Sequence, residues 1–166
     1  MRETERGMSM LEVATAISLA SILTIIAVPV FYREWHASHQ AEAREVLLRI
    51  GEGVATFVRP ARHQHALPDA IARTPAEVPR AATSVASEAD WAPWSVIGGR
   101  PVTLGFPQRY AYSFLRTPGD KSAFEGLAEG DLDGDGIVSR VSLRGSVDAR
   151  GSVQFAPDVE LVDGLE

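Results

Sequence analysis

The sequence predicts an α+β chain: a long N-terminal helix, membrane-spanning in its first half and amphipathic in its second, packed on a small antiparallel β-sheet of about four strands. Three observations carry this expectation. Residues 13–32 are a run of 20 without a charge. Apolar residues then recur at three- and four-residue spacing as far as Val58. After a proline-rich interval the hydrophobic period falls to two.

The uncharged run, VATAISLASILTIIAVPVFY, spans about 30 Å as a helix, which matches the hydrocarbon thickness of a bilayer. A cleaved secretory signal has an apolar region of about 7–15 residues that ends at a small-x-small site. Here the run is longer and its far end, PVFYREWH, offers no such site, so a retained span is expected. Beyond it Ala43, Val46, Leu47, Ile50, Val54, Phe57 and Val58 form one apolar stripe, with Glu42, Arg44, Glu45, Arg49 and Glu52 on the other faces. Glu45 and Arg49 are a favourable i,i+4 pair. Gly51 and Gly53 weaken the helix locally, and Pro60 ends it. Residues 8–58 therefore read as one helix about 75 Å long, divided into an assembly or membrane segment (8–32) and an amphipathic segment (33–58).

Residues 59–108 hold seven of the ten prolines and show no clean period. They read as an irregular connecting loop, with short helical turns at most, pinned by Trp91 and Trp94 as core anchors. Residues 109–166 read as an antiparallel meander with an acidic turn and a C-terminal tail. Tyr110, Tyr112 and Phe114 alternate with Ala111, Ser113 and Leu115. Pro118 and Gly119 then supply a tight turn. Strands follow over 122–128, 137–144 and 152–156, and the tail 158–166 trails from them. A half-buried sheet needs a cover, and the amphipathic half of the long helix is the one candidate of the right size.

Composition narrows the function. The net charge is −6, with one lysine and scattered arginines, which argues against a nucleic-acid partner. The absence of cysteine excludes disulfides, thiolate metal sites and cysteine nucleophiles. No phosphate-cradling loop, serine elbow or catalytic carboxylate pair stands out, so the chain is not expected to be an enzyme.

The N-terminal arrangement is more specific. A short charged leader, MRETERG, ends in Gly7 and is followed by Met8-Ser9-Met10-Leu11-Glu12 and the apolar helix, with Pro29 near its far end. This resembles the class III signal of type IV pilins and pseudopilins. The resemblance covers residues 1–58 in detail and the rest only in its helix–loop–sheet order. It implies cleavage by a prepilin peptidase between Gly7 and Met8, N-methylation of Met8, a subunit-assembly role for Glu12 as the fifth mature residue, and a helix kink at Pro29. The family's first mature residue is most often phenylalanine, so Met8 is a departure.

Physical chemistry gives these residues tasks of their own. Cleavage leaves an ammonium on Met8 in apolar surroundings. An ammonium and a carboxylate are each costly to bury alone and far less so together, so the amine of one subunit can meet Glu12 of a neighbour. The simpler reading of Glu12 is an acid at a helix start, favoured by the helix dipole. Pro29 cannot donate to the Ile25 carbonyl, which loosens the helix there. Ala14, Ser18, Ser21 and Ala27 permit close helix approach.

Asp131, Asp133 and Asp135, in GDLDGDGIVS, are spaced two apart, as in oxygen-ligand loops for calcium. The twelfth position counted from Asp131 is Ser142 rather than glutamate, and strands rather than helices flank the loop. The favoured expectation is a glycine-rich turn whose aspartates satisfy backbone amides, with Ca2+ as the alternative cofactor. His36 and His39 lie three apart, and His63 and His65 flank Gln64; they read as solvated or interface histidines.

The expected function is a type IV pilin-like structural subunit, a minor pilin in preference to a major one, with the prepilin peptidase, other pilin subunits and an inner-membrane assembly platform as partners. The expected location is the bacterial inner membrane, single-pass with the C-terminal domain extracytoplasmic, and then a pilus or periplasmic filament. The alternatives are a type II secretion pseudopilin and a non-assembling, single-span membrane-anchored extracytoplasmic domain, with or without calcium binding.

Overall fold

The structure is a computed structural model that describes residues 8–58, 67–120, 122–148, 152–156 and 160–162. Its long helix α1 runs over Met10–Val58, 49 residues with Pro29 inside it. The chain divides into two compact units, Met1–Ser38 and His39–Glu166.

In the first unit every described side chain from Met8 to Trp35 is exposed, including Ile17, Leu19, Ile22, Leu23, Ile25 and Ile26. One helix is thus long and apolar enough to cross a membrane, and its most apolar window is unburied. Thr15, Ser18, Ser21 and Thr24 would each bring a hydroxyl into hydrocarbon. Each donates instead to the carbonyl four residues back, at 2.8–3.0 Å, so the helix satisfies them itself.

In the second unit, α1 presents His39, Ala43, Val46, Leu47, Ile50 and Val54 to the core, the periodicity expected of a helix buried on one side. Phe57 and Val58 pack against the same cluster, and Arg49 pairs with Glu45 at 2.6 Å. This half of the helix covers an antiparallel sheet. Strands β1 (Ala70–Thr74), β2 (Ala111–Arg116), β3 (Ala123–Gly130), β4 (Ser139–Val147) and β5 (Val153–Phe155) are neighbours in that order, and β6 (Glu160–Val162) pairs with β4. The register sets Phe114 opposite Gly126, and Glu125 and Glu129 opposite Arg144 and Arg140. The latter become cross-strand ion pairs at 3.2 and 2.8 Å. Between β2 and β3, Pro118 and Gly119 (φ 84°) take the central positions of a type II turn, closed by Asp120 N–H to the Thr117 carbonyl at 3.2 Å.

The sheet holds two strands more than the period-two pattern predicts. The interval expected to be irregular contains β1, the four-residue helix α2 (Glu88–Trp91) and a 3-10 helix (Ala92–Ile97). β6 lies in the stretch expected to trail as a tail. Trp91 and Trp94 are buried with ring centroids 5.7 Å apart, and Trp94 donates from Nε1 to Thr74 Oγ1 at 3.0 Å. The two tryptophans thereby anchor the interval to the edge of the sheet.

Glycine decides how closely α1 can approach its neighbours. Gly53 lies against the carbonyl of Ile97, where a Cβ would stand 2.5 Å from the oxygen, and a Cβ on Gly98 would in turn meet Gly53 Cα at 2.9 Å. A Cβ on Gly51 would overlap the Phe155 ring of β5. Under the helix, Gly126 leaves room for Leu47 Cδ2 and Ile50 Cγ2. Residues that read as helix weakeners in the sequence are the ones that let the helix seat.

Candidate assembly site

Three residues build the N-terminus of α1. Ser9 N–H donates to Glu12 Oε2 at 2.7 Å, and Glu12 N–H donates to Ser9 Oγ at 3.2 Å. This reciprocal pair is a capping box, which satisfies two of the donors that a helix start leaves orphaned. The Ser9 carbonyl accepts from Val13 N–H at 3.1 Å, closing the first turn. Glu12 therefore does serve as a helix-start acid in the single chain, and it stays on the exposed surface. Met8, immediately before the cap, is 72% exposed. Gly7, expected to precede the cleaved bond, lies with residues 1–6 outside the described residues. The S-x-x-E spacing of Ser9 and Glu12 is legible in the sequence, yet Ser9 was not among the expected site residues.

Helix α1 continues through Pro29. Because proline lacks an N–H, the Ile25 carbonyl is without the donor that a helix normally supplies four residues on.

Asp131, Asp133 and Asp135 come together: one oxygen from each lies within 4.8 Å of the others, the one such acidic cluster among the described residues. Asp131 is buried. Its Oδ1 accepts from Gly134 N–H at 2.7 Å and its Oδ2 from Gly136 N–H at 3.1 Å. Asp133 and Asp135 each accept from the amide two residues on, at 3.1 and 2.6 Å. The Arg80 guanidinium stands 3.9 Å from Asp131 Oδ2. Asp131 is also tied through its backbone to Pro79 and Ala81. Each aspartate thus has a task as a turn-maker, and the nearby guanidinium already supplies positive charge to the buried one. The same three carboxylates offer the oxygen chemistry that a calcium ion takes, and the geometry leaves that alternative standing.

His39, expected to be solvated or at an interface, is instead buried on the core-facing side of α1, where the helix turns its apolar stripe to the sheet; the side chain of His36 lies outside the described residues. His63 and His65 lie outside the described residues. Comparison of the chain with family models, curated proteins and solved structures finds no match.

Proposed function

We propose that this chain is a type IV pilin-like structural subunit, cut after Gly7, methylated on Met8 and assembled through its N-terminal helix. The observation that carries the reading is the start of α1. An exposed carboxylate, Glu12, stands four residues from the proposed new N-terminus, at the head of an exposed apolar helix. Packed among apolar helices a carboxylate without a counter-charge is costly, and the ammonium created by cleavage is the complementary charge. The second support is the change of environment along α1: unburied apolar residues as far as Phe31, and one buried stripe from His39.

On this reading the prepilin is inserted in the bacterial inner membrane with its C-terminal unit outside the cytoplasm. The prepilin peptidase, other pilins and an inner-membrane assembly platform are its partners, and it performs no catalysis. The sheet unit then decorates a filament whose core is the apolar helix. A minor pilin is favoured over a major one, and a type II secretion pseudopilin shares the same N-terminal chemistry. Deleting the gene distinguishes them, since loss of pili and loss of secretion are separate phenotypes. The competing reading is a single-span anchored domain that never assembles, and such an anchor needs neither Gly7 nor Glu12. Measuring the mass of the membrane-extracted protein tests the choice: the pilin reading requires loss of residues 1–7.

A further inference from the structure

At the C-terminal end of the uncharged run, three aromatic rings share one side of α1. Trp35 stands four residues from Phe31 and three from Tyr32, the spacing of neighbours on a helix surface. They are 70, 59 and 39% exposed, and the Tyr32 and Trp35 ring centroids lie 6.2 Å apart with planes tilted by 51°. Along the helix axis the three occupy about 6 Å. Arg33 and Glu34, the first charges after Glu12, interrupt the chain here and fall on other sides of the helix.

Tyrosine and tryptophan join a large apolar body to one polar tip, so neither bulk water nor hydrocarbon suits the whole side chain. The headgroup zone of a bilayer suits both parts, which is why these residues gather at membrane boundaries. Chain order matches the gradient. Phe31, wholly apolar, comes first, and the amphipathic Tyr32 and Trp35 lie farther out. The distance also matches, because the cluster begins where a run about 30 Å long ends.

We propose that Phe31, Tyr32 and Trp35 form an interfacial anchor that seats in the lipid headgroup region and fixes the depth of the span. Pro29 then lies about 3 Å inside the boundary. The inference rests on the membrane-spanning part of the reading above and is independent of filament assembly.

The full chain, reconstituted in phosphatidylcholine vesicles and floated on a density gradient, provides the test. Trp91 and Trp94 are buried in the other unit, so the difference between the unmodified chain and its Trp35→Phe variant isolates the Trp35 emission. Lipids carry a nitroxide quencher either near the headgroup or near the chain end. The expected result is flotation with quenching of Trp35 at least about twofold stronger by the headgroup-proximal label. Flotation with stronger quenching by the chain-end label, or with quenching by neither, overturns the anchor alone. A chain that does not float overturns the span and the anchor with it.

Discussion

Ser9 and Glu12 hold each other across the first turn of α1, through paired hydrogen bonds of 2.7 and 3.2 Å between the backbone of one and the side chain of the other. The cap engages one carboxylate oxygen, Oε2, and leaves Oε1 and the full charge for another partner. Capping and intersubunit pairing are therefore compatible on one side chain.

This relationship separates two roles by substitution. A glutamine at position 12 can keep the capping box but carries no charge, whereas alanine loses both. We predict that Glu12→Gln and Glu12→Ala both block incorporation into filaments while leaving leader removal largely intact. If the cap alone mattered, Glu12→Gln would incorporate normally. Ser9→Ala removes half of the cap, at about 1 kcal/mol of helix-start stability, and should be the milder change. The amount of each variant in sheared filaments, set against the processed amount in membranes, is the measurement.

The seat of α1 predicts an asymmetry between two glycines. Gly53→Ala forces a methyl group against the Ile97 carbonyl, part of a backbone that is itself close to Gly53, so net destabilisation of about 1–3 kcal/mol is expected despite alanine's better helix propensity. Gly51→Ala meets the ring of a partly exposed Phe155, which can rotate aside, and should cost less. Denaturant unfolding of both variants in a fragment starting at residue 36 makes the comparison, since the core cluster lies wholly within the second unit.

Asp131 accepts two backbone amides while buried, and Asp131→Ala leaves both amides without their acceptor. The expected loss is about 1–3 kcal/mol per stranded group, partly recovered where water reaches the turn. Because the turn role needs no ion, the loss should be the same in calcium and in chelator. A thermal shift on adding calcium that disappears in the Asp131→Ala variant would assign the loop to the metal instead.

Two side chains predict the pH response. Burial pushes the Tyr112 phenol far above its ordinary range, with Glu42 adding to the shift, and the hydroxyl has no hydrogen-bond partner among the described residues. A pKa raised on folding contributes stability that is complete below the unfolded value, about 10, and is lost as pH rises beyond it. Tyr112→Phe should therefore be neutral or stabilising at pH 7 and should flatten the alkaline limb. At the acid end, hydrogen bonds from Ser87 hold the Asp90 carboxyl below its usual range. Its contribution is present above the ordinary carboxylate pKa, about 4, and fades as pH falls, so Ser87→Ala should weaken the acid dependence. Melting curves across pH resolve both limbs.

How far the sequence could be read depended on the length of each pattern. Fifteen residues of helical period from Ala43 to Phe57, and the alternation from Tyr110 to Leu115, were long enough to expose one buried face each. β1 was not: in AIART only Ile71 and Thr74 turn inward, and prolines at 68 and 75 bracket the strand. β6 has three residues in an acidic stretch, and its pairing with β4 is a tertiary fact that no local period encodes. The glycines misled for a similar reason, because propensity reports what Gly53 costs an isolated helix and not what the Ile97 carbonyl requires of it. At the candidate site, Glu12 and the apolar run were legible, while Ser9 required attention to capping chemistry rather than to hydrophobicity.

On the proposed reading, Glu12 awaits an ammonium that exists only after the chain is cut. Intact mass spectrometry of the protein extracted from membranes tests it most directly. The expected result is a chain beginning at Met8, shortened by residues 1–7 and heavier by one methyl group. A mass that retains those seven residues would contradict it.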